Sequence, residues 1–332
     1  MDFKTSDISF VFQGGVPMDL RATLADAIAG VRQLAPGCSI VVSTDDASNA
    51  QGLGADEVVV GPLLPALPGN KRNGLPNNIN RQIQSTRLGL AAVRTPWAVK
   101  LRTDCGLRNL GFLDAFRRLA GSTEDRIVVC SRFTVDPEIF EQMPYHLSDW
   151  FHFGRTETLR TLWACPPMTM ADALHYQSHP YAPHSNFFDR NFVARYAVEQ
   201  HLIIPYAREL GYAVPDFHND LALQVMQDFR RFLAQRVIVL EPQQIGLRFD
   251  KYEWAFTSDF QDLNCIGHLD WQGIRKQVDP AFAASASGGD MARRRARKLL
   301  ARRVFRIAQP FGPLLYNRRL RTIVNRMLRL LK

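Results

Sequence analysis

Two charged side chains close a run of apolar residues. Residues 97–101 (Trp-Ala-Val-Lys-Leu) read as a buried strand, and Arg102 and Asp104 follow at its carboxyl end. A carboxylate in that place can hold a divalent cation on its oxygens, and a guanidinium can grip a phosphate through a two-pronged fork. Both chemistries suit an anionic, phosphate-bearing ligand. Asp45 and Asp46 close an earlier apolar run in the same way. Acids after a strand are also ordinary turn formers, so each has a purely structural reading beside the chemical one. Further along, Asp149 precedes the aromatic pair Trp150-Phe151, and Glu199 opens a helical segment; either carboxylate can take a proton from a hydroxyl. Trp150 is placed to stack on a ring. His218 stands alone in a loop and is read as structural.

The elements that position these groups follow from period and punctuation. Ile79, Ile83 and Leu90 repeat at helical spacing, Gly89 permits close packing, Asn77 or Asn78 can cap the first turn, and Thr95-Pro96 stops the helix. Asn78, Asn80, Arg81 and Gln82 make its start polar, and helix starts favour anions. Upstream, residues 8–12 predict a strand buried on both faces, residues 13–17 a turn, 20–34 an amphipathic helix, and 39–43 and 57–60 two more strands. The order predicts a doubly wound, mostly parallel α/β sheet with flanking helices. Ligands in such sheets collect outside the carboxyl ends of the strands, where Asp45 and Asp104 fall. Strands are also expected at 126–131 and 150–154. Residues 61–77 form a long loop of the kind that often carries function. Residues 166–190 form another, readable as a lid on one side of the crevice or as a plain surface insertion.

In order, the pieces Ile8–Gly14, Asn78-x-Asn80-Arg81-Gln82-Ile83, Ser85-Thr86, Lys100-Leu-Arg-Thr-Asp104, His146-x-Ser-Asp149-Trp150-Phe-x-Phe-Gly154 and Glu199-Gln200 resemble the WavE lipopolysaccharide-synthesis family. More broadly they resemble GT-A nucleotide-sugar glycosyltransferases. The resemblance implies a GT-A-like fold, a sugar-nucleotide donor and a saccharide or lipid-linked saccharide acceptor. It implies donor contacts from Asp45, Asn78, Asn80, Arg81, Gln82, Lys100, Arg102 and Asp104, with Mn2+ or Mg2+ on Asp104. The GT-A pattern has two acids at alternating positions, whereas Arg102 occupies the first of them here. The donor's charge can therefore be met by a metal on Asp104 or by the guanidinium itself. The resemblance also makes Glu199 the acceptor base, with Asp149 the competitor for that role.

Composition narrows the alternatives. The 332 residues carry a formal net charge of +9, yet residues 293–332 hold 14 Lys/Arg and no acid, so the remainder is mildly acidic. A nucleic-acid partner is not expected of such a body. The five cysteines, Cys38, Cys105, Cys130, Cys165 and Cys265, are dispersed without metal-ligand spacing. No signal peptide and no run of about 18 apolar residues appears. The chain is expected in the cytoplasm, peripheral on the inner face of the cytoplasmic membrane. Three segments follow from this: a catalytic domain over 1–280, a flexible linker over 281–291, and a basic amphipathic helical tail over 292–332. Two apolar stripes in the tail suit an anionic membrane surface. The rival readings are a sugar-nucleotide nucleotidyltransferase, which would want a basic Gly-rich loop after the first strand, and a non-catalytic polysaccharide-assembly protein.

Overall fold

The computed structural model describes residues 3–72, 74–121 and 123–308. Among these, nine strands run in chain order as β1 (Ile8–Gln13), β2 (Ser39–Thr44), β3 (Glu57–Val60), β4 (Trp97–Arg102), β5 (Gly106–Leu107), β6 (Ile127–Cys130), β7 (Phe151–Arg155), β8 (Val237–Leu240) and β9 (Leu247–Arg248). Seven form one sheet in the order β3-β2-β1-β4-β7-β6-β8, and β5 pairs with β9 apart from it. Every neighbour in the large sheet is parallel except β7, which runs antiparallel to both β4 and β6. The expected doubly wound and mostly parallel sheet is the one observed. The reversed strand and the late strand β8 were not legible in the sequence.

The helices are α1 (Arg21–Leu34), α2 (Ile79–Ala92), α3 (Gly111–Leu119), α4 (Thr156–Trp163), α5 (Met170–Ala173), α6 (Val198–Glu209), α7 (Leu223–Arg236), α8 (Pro242–Ile245), α9 (Glu253–Thr257), α10 (Asp259–Asn264), α11 (His268–Val278) and α12 (Gly288–Ala308). Side-chain alternation along the strands assigns the two faces of the sheet. One face is aromatic: Trp97 and Phe153 meet Phe112 and Phe116 of α3, with ring centroids 4.9 to 5.6 Å apart. The other face carries Val11, Gln13, Lys100 and His152 beneath α2 and α4. There Gly89 lets α2 settle on the strands, because a Cβ at that position would lie 2.5 Å from Val11 Cγ1 and 3.0 Å from Ser43 Cβ. Trp163 of α4 donates its indole N–H to His152 Nδ1 at 3.1 Å, so a buried polar pair is satisfied on the same face.

The 61–77 loop is tied to the residues just after the 166–190 loop. Val193 N–H donates to Asn70 O at 2.8 Å, Arg72 N–H to Asn191 O at 2.9 Å, and Lys71 bridges to Phe192. All five cysteines are free and buried.

Helix α12 starts at Gly288, inside the segment read as a linker. Its Lys298 is 4% exposed and lies 2.8 Å from both Asp136 and Asp270. Arg294 reaches Asp262 at 2.6 Å and Asp270 at 3.1 Å, and Arg297 reaches Asp262 at 3.3 Å. Three bases that the charge count placed in the tail therefore serve as ion pairs to the body. Residues 309–332, the rest of the amphipathic helical tail expected from the sequence, lie outside the described residues. Among the described residues no helix is long and apolar enough to cross a membrane.

Candidate active site

A cleft of about 700 Å³ opens at the carboxyl ends of the parallel strands. The sheet order lays its groups along that edge. Thr44 and Asp45 follow β2, Gly14 and Gly15 follow β1, Arg102 to Asp104 close β4, Asp149 and Trp150 precede β7, and Phe133 comes after β6. Because β7 is reversed, its entering residues fall on the same edge as the others' exits. Gly14 takes φ +128°, a value that favours glycine, and a Cβ there would meet Thr103 Oγ1 at 3.1 Å. Thr103 Oγ1 donates to Gly15 O at 2.9 Å, tying the β1 loop to the end of β4.

The start of α2 forms one wall. Asn77 Oδ1 accepts the Ile79 N–H at 3.0 Å, so Asn77 is the capping side chain and Asn78 stays exposed in the cleft. Arg81 lines the cleft while its Nε donates to Leu64 O at 2.6 Å. Gln82 Nε2 donates to Asp149 Oδ2. Asn80 faces elsewhere, exchanging bonds of 3.0 and 2.8 Å with the backbone of Met168, and so anchors the chain that follows α4. Of the residues expected to touch a donor, the cleft gathers Asp45, Asn78, Arg81, Gln82, Arg102 and Asp104, but not Asn80 or Lys100.

Lys100 sits beneath the cleft floor. It is fully buried, donates to the backbone carbonyl of Asp149, and holds its ammonium 4.8 Å from the centre of the Trp163 ring. Burial drives its pKa down to about 8, against the opposing pull of Asp149. Above it, Arg102 grips Asp104 with two bonds of 2.9 Å. Burial disfavours the Arg102 cation, yet the Asp104 hydrogen bond and the Asp149 charge outweigh it and hold the guanidinium charged.

The two remaining carboxylates are pushed in opposite directions. Burial raises Asp149, but Lys100, Arg102 and the Gln82 hydrogen bond more than reverse this, so its pKa lies below the ordinary value and the charged form is favoured. Burial raises Glu199, the adjacent Asp149 charge adds to that, and His146 is the main group pulling it back. His146 Nε2 lies 3.3 Å from Glu199 Oε2, while its Nδ1 lies 2.9 Å from Phe133 O. A carbonyl only accepts, so Nδ1 carries a proton and Nε2 faces the carboxylate.

These placements revise several expectations. Trp150 is 4% exposed, its ring enclosed by Phe133, Phe249 and Tyr252, so its face is not open for stacking. No residue of the 166–190 loop lines the cleft among the described residues; the 61–77 loop does, through Gly61, Pro62, Asn70, Leu75, Pro76 and Asn77. His218 is buried against Tyr176 and Phe192. As for a divalent cation, both Asp104 oxygens are engaged by a guanidinium, and no three metal-ligating side chains converge among the described residues. The residues present do not build a protein-held metal site. Sequence reasoning also missed Lys251 and Tyr252, which carry no pattern, and the partnership of His146 with Glu199, whose members lie 53 positions apart.

The profile of one protein family, described as WavE lipopolysaccharide synthesis, matches residues 8–299. No curated protein matches the chain. Among solved structures, an active-site mutant of LgtC is similar at 10% identity and TM-score 0.35, covering 72% of this chain and 85% of its own. A 4-diphosphocytidyl-2C-methyl-D-erythritol synthase from Anaerococcus prevotii DSM 20548 is similar at 10% identity and TM-score 0.30, covering 54% of this chain and 80% of its own.

Proposed function

The chain belongs to the WavE lipopolysaccharide-synthesis family, and from that premise we propose that it is a glycosyltransferase. It moves a sugar from an activated sugar nucleotide to a lipopolysaccharide or other surface-polysaccharide acceptor. The observation that carries this reading is the pair of carboxylates with opposed proton affinities, Asp149 and Glu199, in one cleft with the Arg102–Asp104 pair. Two acids whose surroundings push them apart mark a division of acid–base labour.

In this reading the nucleotide lies along the β2–β1–β4 edge, with Asp45 at its ribose end and the diphosphate toward Arg102. The acceptor hydroxyl attacks the anomeric carbon, a new C–O bond forms, and the bond to the diphosphate breaks with its electrons leaving on the nucleoside diphosphate. Glu199 takes the hydroxyl proton. Asp149, held ionised, accepts hydrogen bonds from sugar hydroxyls and fixes the guanidinium of Arg102 across from it. Arg102 meets the charge of the departing diphosphate; no step here passes through a metal.

The loop after β1 (Gln13-Gly14-Gly15-Val16-Pro17) contains no base, which weighs against the nucleotidyltransferase alternative. The bases of residues 293–332 that are not paired to the body are proposed to rest on the anionic inner face of the cytoplasmic membrane, beside a lipid-linked acceptor. The test of the activity is release of nucleoside diphosphate from a panel of sugar nucleotides in the presence of deacylated lipopolysaccharide oligosaccharide. Release of inorganic pyrophosphate from nucleoside triphosphate and sugar phosphate would instead select the nucleotidyltransferase.

A further inference from the structure

We infer that the acceptor saccharide is seated on an aromatic shelf built from Phe133, Tyr252 and Trp254 at the β6 end of the cleft, with Lys251 at its rim. This rests on the transferase reading above and assigns that site's second substrate a place. Phe133 is one of two non-glycine residues with positive φ among the described residues, at +65°. Its backbone is fixed in that conformation by bonds on both sides: its N–H reaches Cys265 Sγ at 3.3 Å, and its carbonyl lies 2.9 Å from His146 Nδ1. Such conformations persist only where surrounding structure enforces them, and they gather at functional sites. Here the turn sends the ring into the cleft wall.

Behind the ring, buried Trp150 backs both Phe133 and Tyr252, with centroids 4.9 and 5.2 Å away. Trp254 extends the shelf outward, edge-on to Phe133 at 6.5 Å and 54% exposed. Lys251 and Tyr252 line the same cleft as Glu199. Lys251 has no ion-pair partner among the described residues; its ammonium lies 5.6 Å from the Tyr252 ring.

Position decides between substrates. Strands lie about 4.8 Å apart, so the four spacings from β2 to β6 separate Asp45 from Phe133 by about 19 Å along the edge. A nucleotide seated at Asp45 with its diphosphate at Arg102 has its sugar near Asp149, and the shelf lies beyond. What lies beyond the transferred sugar, on the side of the proposed base, is the attacking hydroxyl and its ring. A sugar ring has an apolar C–H face and a polar hydroxyl rim, and aromatic faces next to a cation and carboxylates match both.

The experiment is paired titration by calorimetry of the full-length protein and of Trp254→Ala, Tyr252→Ala and Trp254→Phe. The probes are deacylated lipopolysaccharide oligosaccharide and a set of nucleoside diphosphates (UDP, GDP, CDP and ADP). Trp254 is largely exposed, so its removal leaves the core intact, and a melting curve checks this. Oligosaccharide affinity is expected to fall about tenfold or more in both alanine variants and to recover in Trp254→Phe, with nucleotide affinity unchanged. Loss of nucleotide affinity in the variants would assign the shelf to the nucleobase and overturn the inference. Unchanged oligosaccharide affinity would overturn it too, leaving the transferase reading standing. If the wild-type protein binds neither probe, both fall together.

Discussion

The His146 ring stands 3.3 Å from the Glu199 carboxylate and is turned toward it by a bond of 2.9 Å from its other nitrogen to Phe133 O. One imidazole thus joins the strained Phe133 backbone to the acid proposed to act as base. His146 opposes the burial that raises Glu199, favouring its carboxylate form.

That relationship fixes a pH dependence. A base works when deprotonated, so the rate rises with pH through the Glu199 pKa. His146→Gln removes the partner that lowers that pKa, and the acid limb of kcat/KM is expected to move to higher pH. A uniform drop in rate with the limb unmoved would make His146 merely structural.

Glu199→Gln is expected to lower turnover by about 100- to 10,000-fold, the usual worth of a general base, with donor affinity nearly unchanged. Asp149→Asn should act differently, weakening donor affinity as well, since its charge braces Arg102 and Lys100. Were Glu199→Gln harmless and Asp149→Asn not, the two roles would be exchanged.

Asp104→Asn keeps shape but removes the charge that grips Arg102 through two bonds. A large loss of turnover is expected with the fold intact, because Arg102 keeps the Asp149 charge as a partner. A melting curve and a rate measured on one preparation check both halves. Separately, chelator should leave activity unaffected if Arg102 rather than a metal meets the diphosphate.

The α12 ion pairs give a stability prediction. Lys298→Met leaves Asp136 without that cation and Asp270 with Arg294 alone, and breaking buried pairs in this way costs about 3–5 kcal/mol. The pH signs follow from the shifts. Burial opposes the Asp270 charge, but Lys298 and Arg294 hold its pKa below the ordinary 3.8. Its stabilisation is therefore complete above that value and is lost as pH falls through the depressed one. Burial likewise opposes the Lys298 charge, but its two acids raise its pKa above 10.5, so its contribution is complete below that and lost as pH rises through the folded value. Melting temperature across pH should show both limbs in the wild type and a flattened acid limb in Asp270→Asn.

Deleting residues 309–332 tests the membrane proposal without touching those pairs. The truncated protein should melt as the full chain does but leave anionic liposomes, and the full chain should leave them as salt rises. Equal sedimentation of the two proteins, or equal binding to neutral vesicles, would contradict it.

Much of the fold was legible because the parallel half announces itself. Residues 8–13, 39–44, 57–60 and 97–102 are short apolar runs punctuated by Pro, Gly or Asp, and α2 shows helical period with Gly89 at its contact. Strand β8 (Val-Ile-Val-Leu) directly continues α7, with Val237 serving as the helix end, so no turn residue marks the boundary. Strand direction is a property of the whole topology, which is why the reversal of β7 was hidden. At the site, Arg102, Asp104, Asp149 and Glu199 were legible as acids and bases at element ends. Asn80 and Lys100 lie near cleft residues in sequence and yet bond to backbone away from the cleft, since a local pattern does not reveal which way a side chain turns. Lys251 and Tyr252 reach the cleft only through the path of the chain after β9.

The central claim is sugar transfer dependent on the two opposed carboxylates. Its most direct measurement is nucleoside diphosphate release from a panel of sugar nucleotides, with deacylated lipopolysaccharide oligosaccharide, for wild type, Glu199→Gln and Asp149→Asn. The wild type is expected to release nucleoside diphosphate with at least one donor and to add the mass of one sugar to the oligosaccharide, with near-loss of both in each variant. No release with any donor, or release undiminished in both variants, would contradict it.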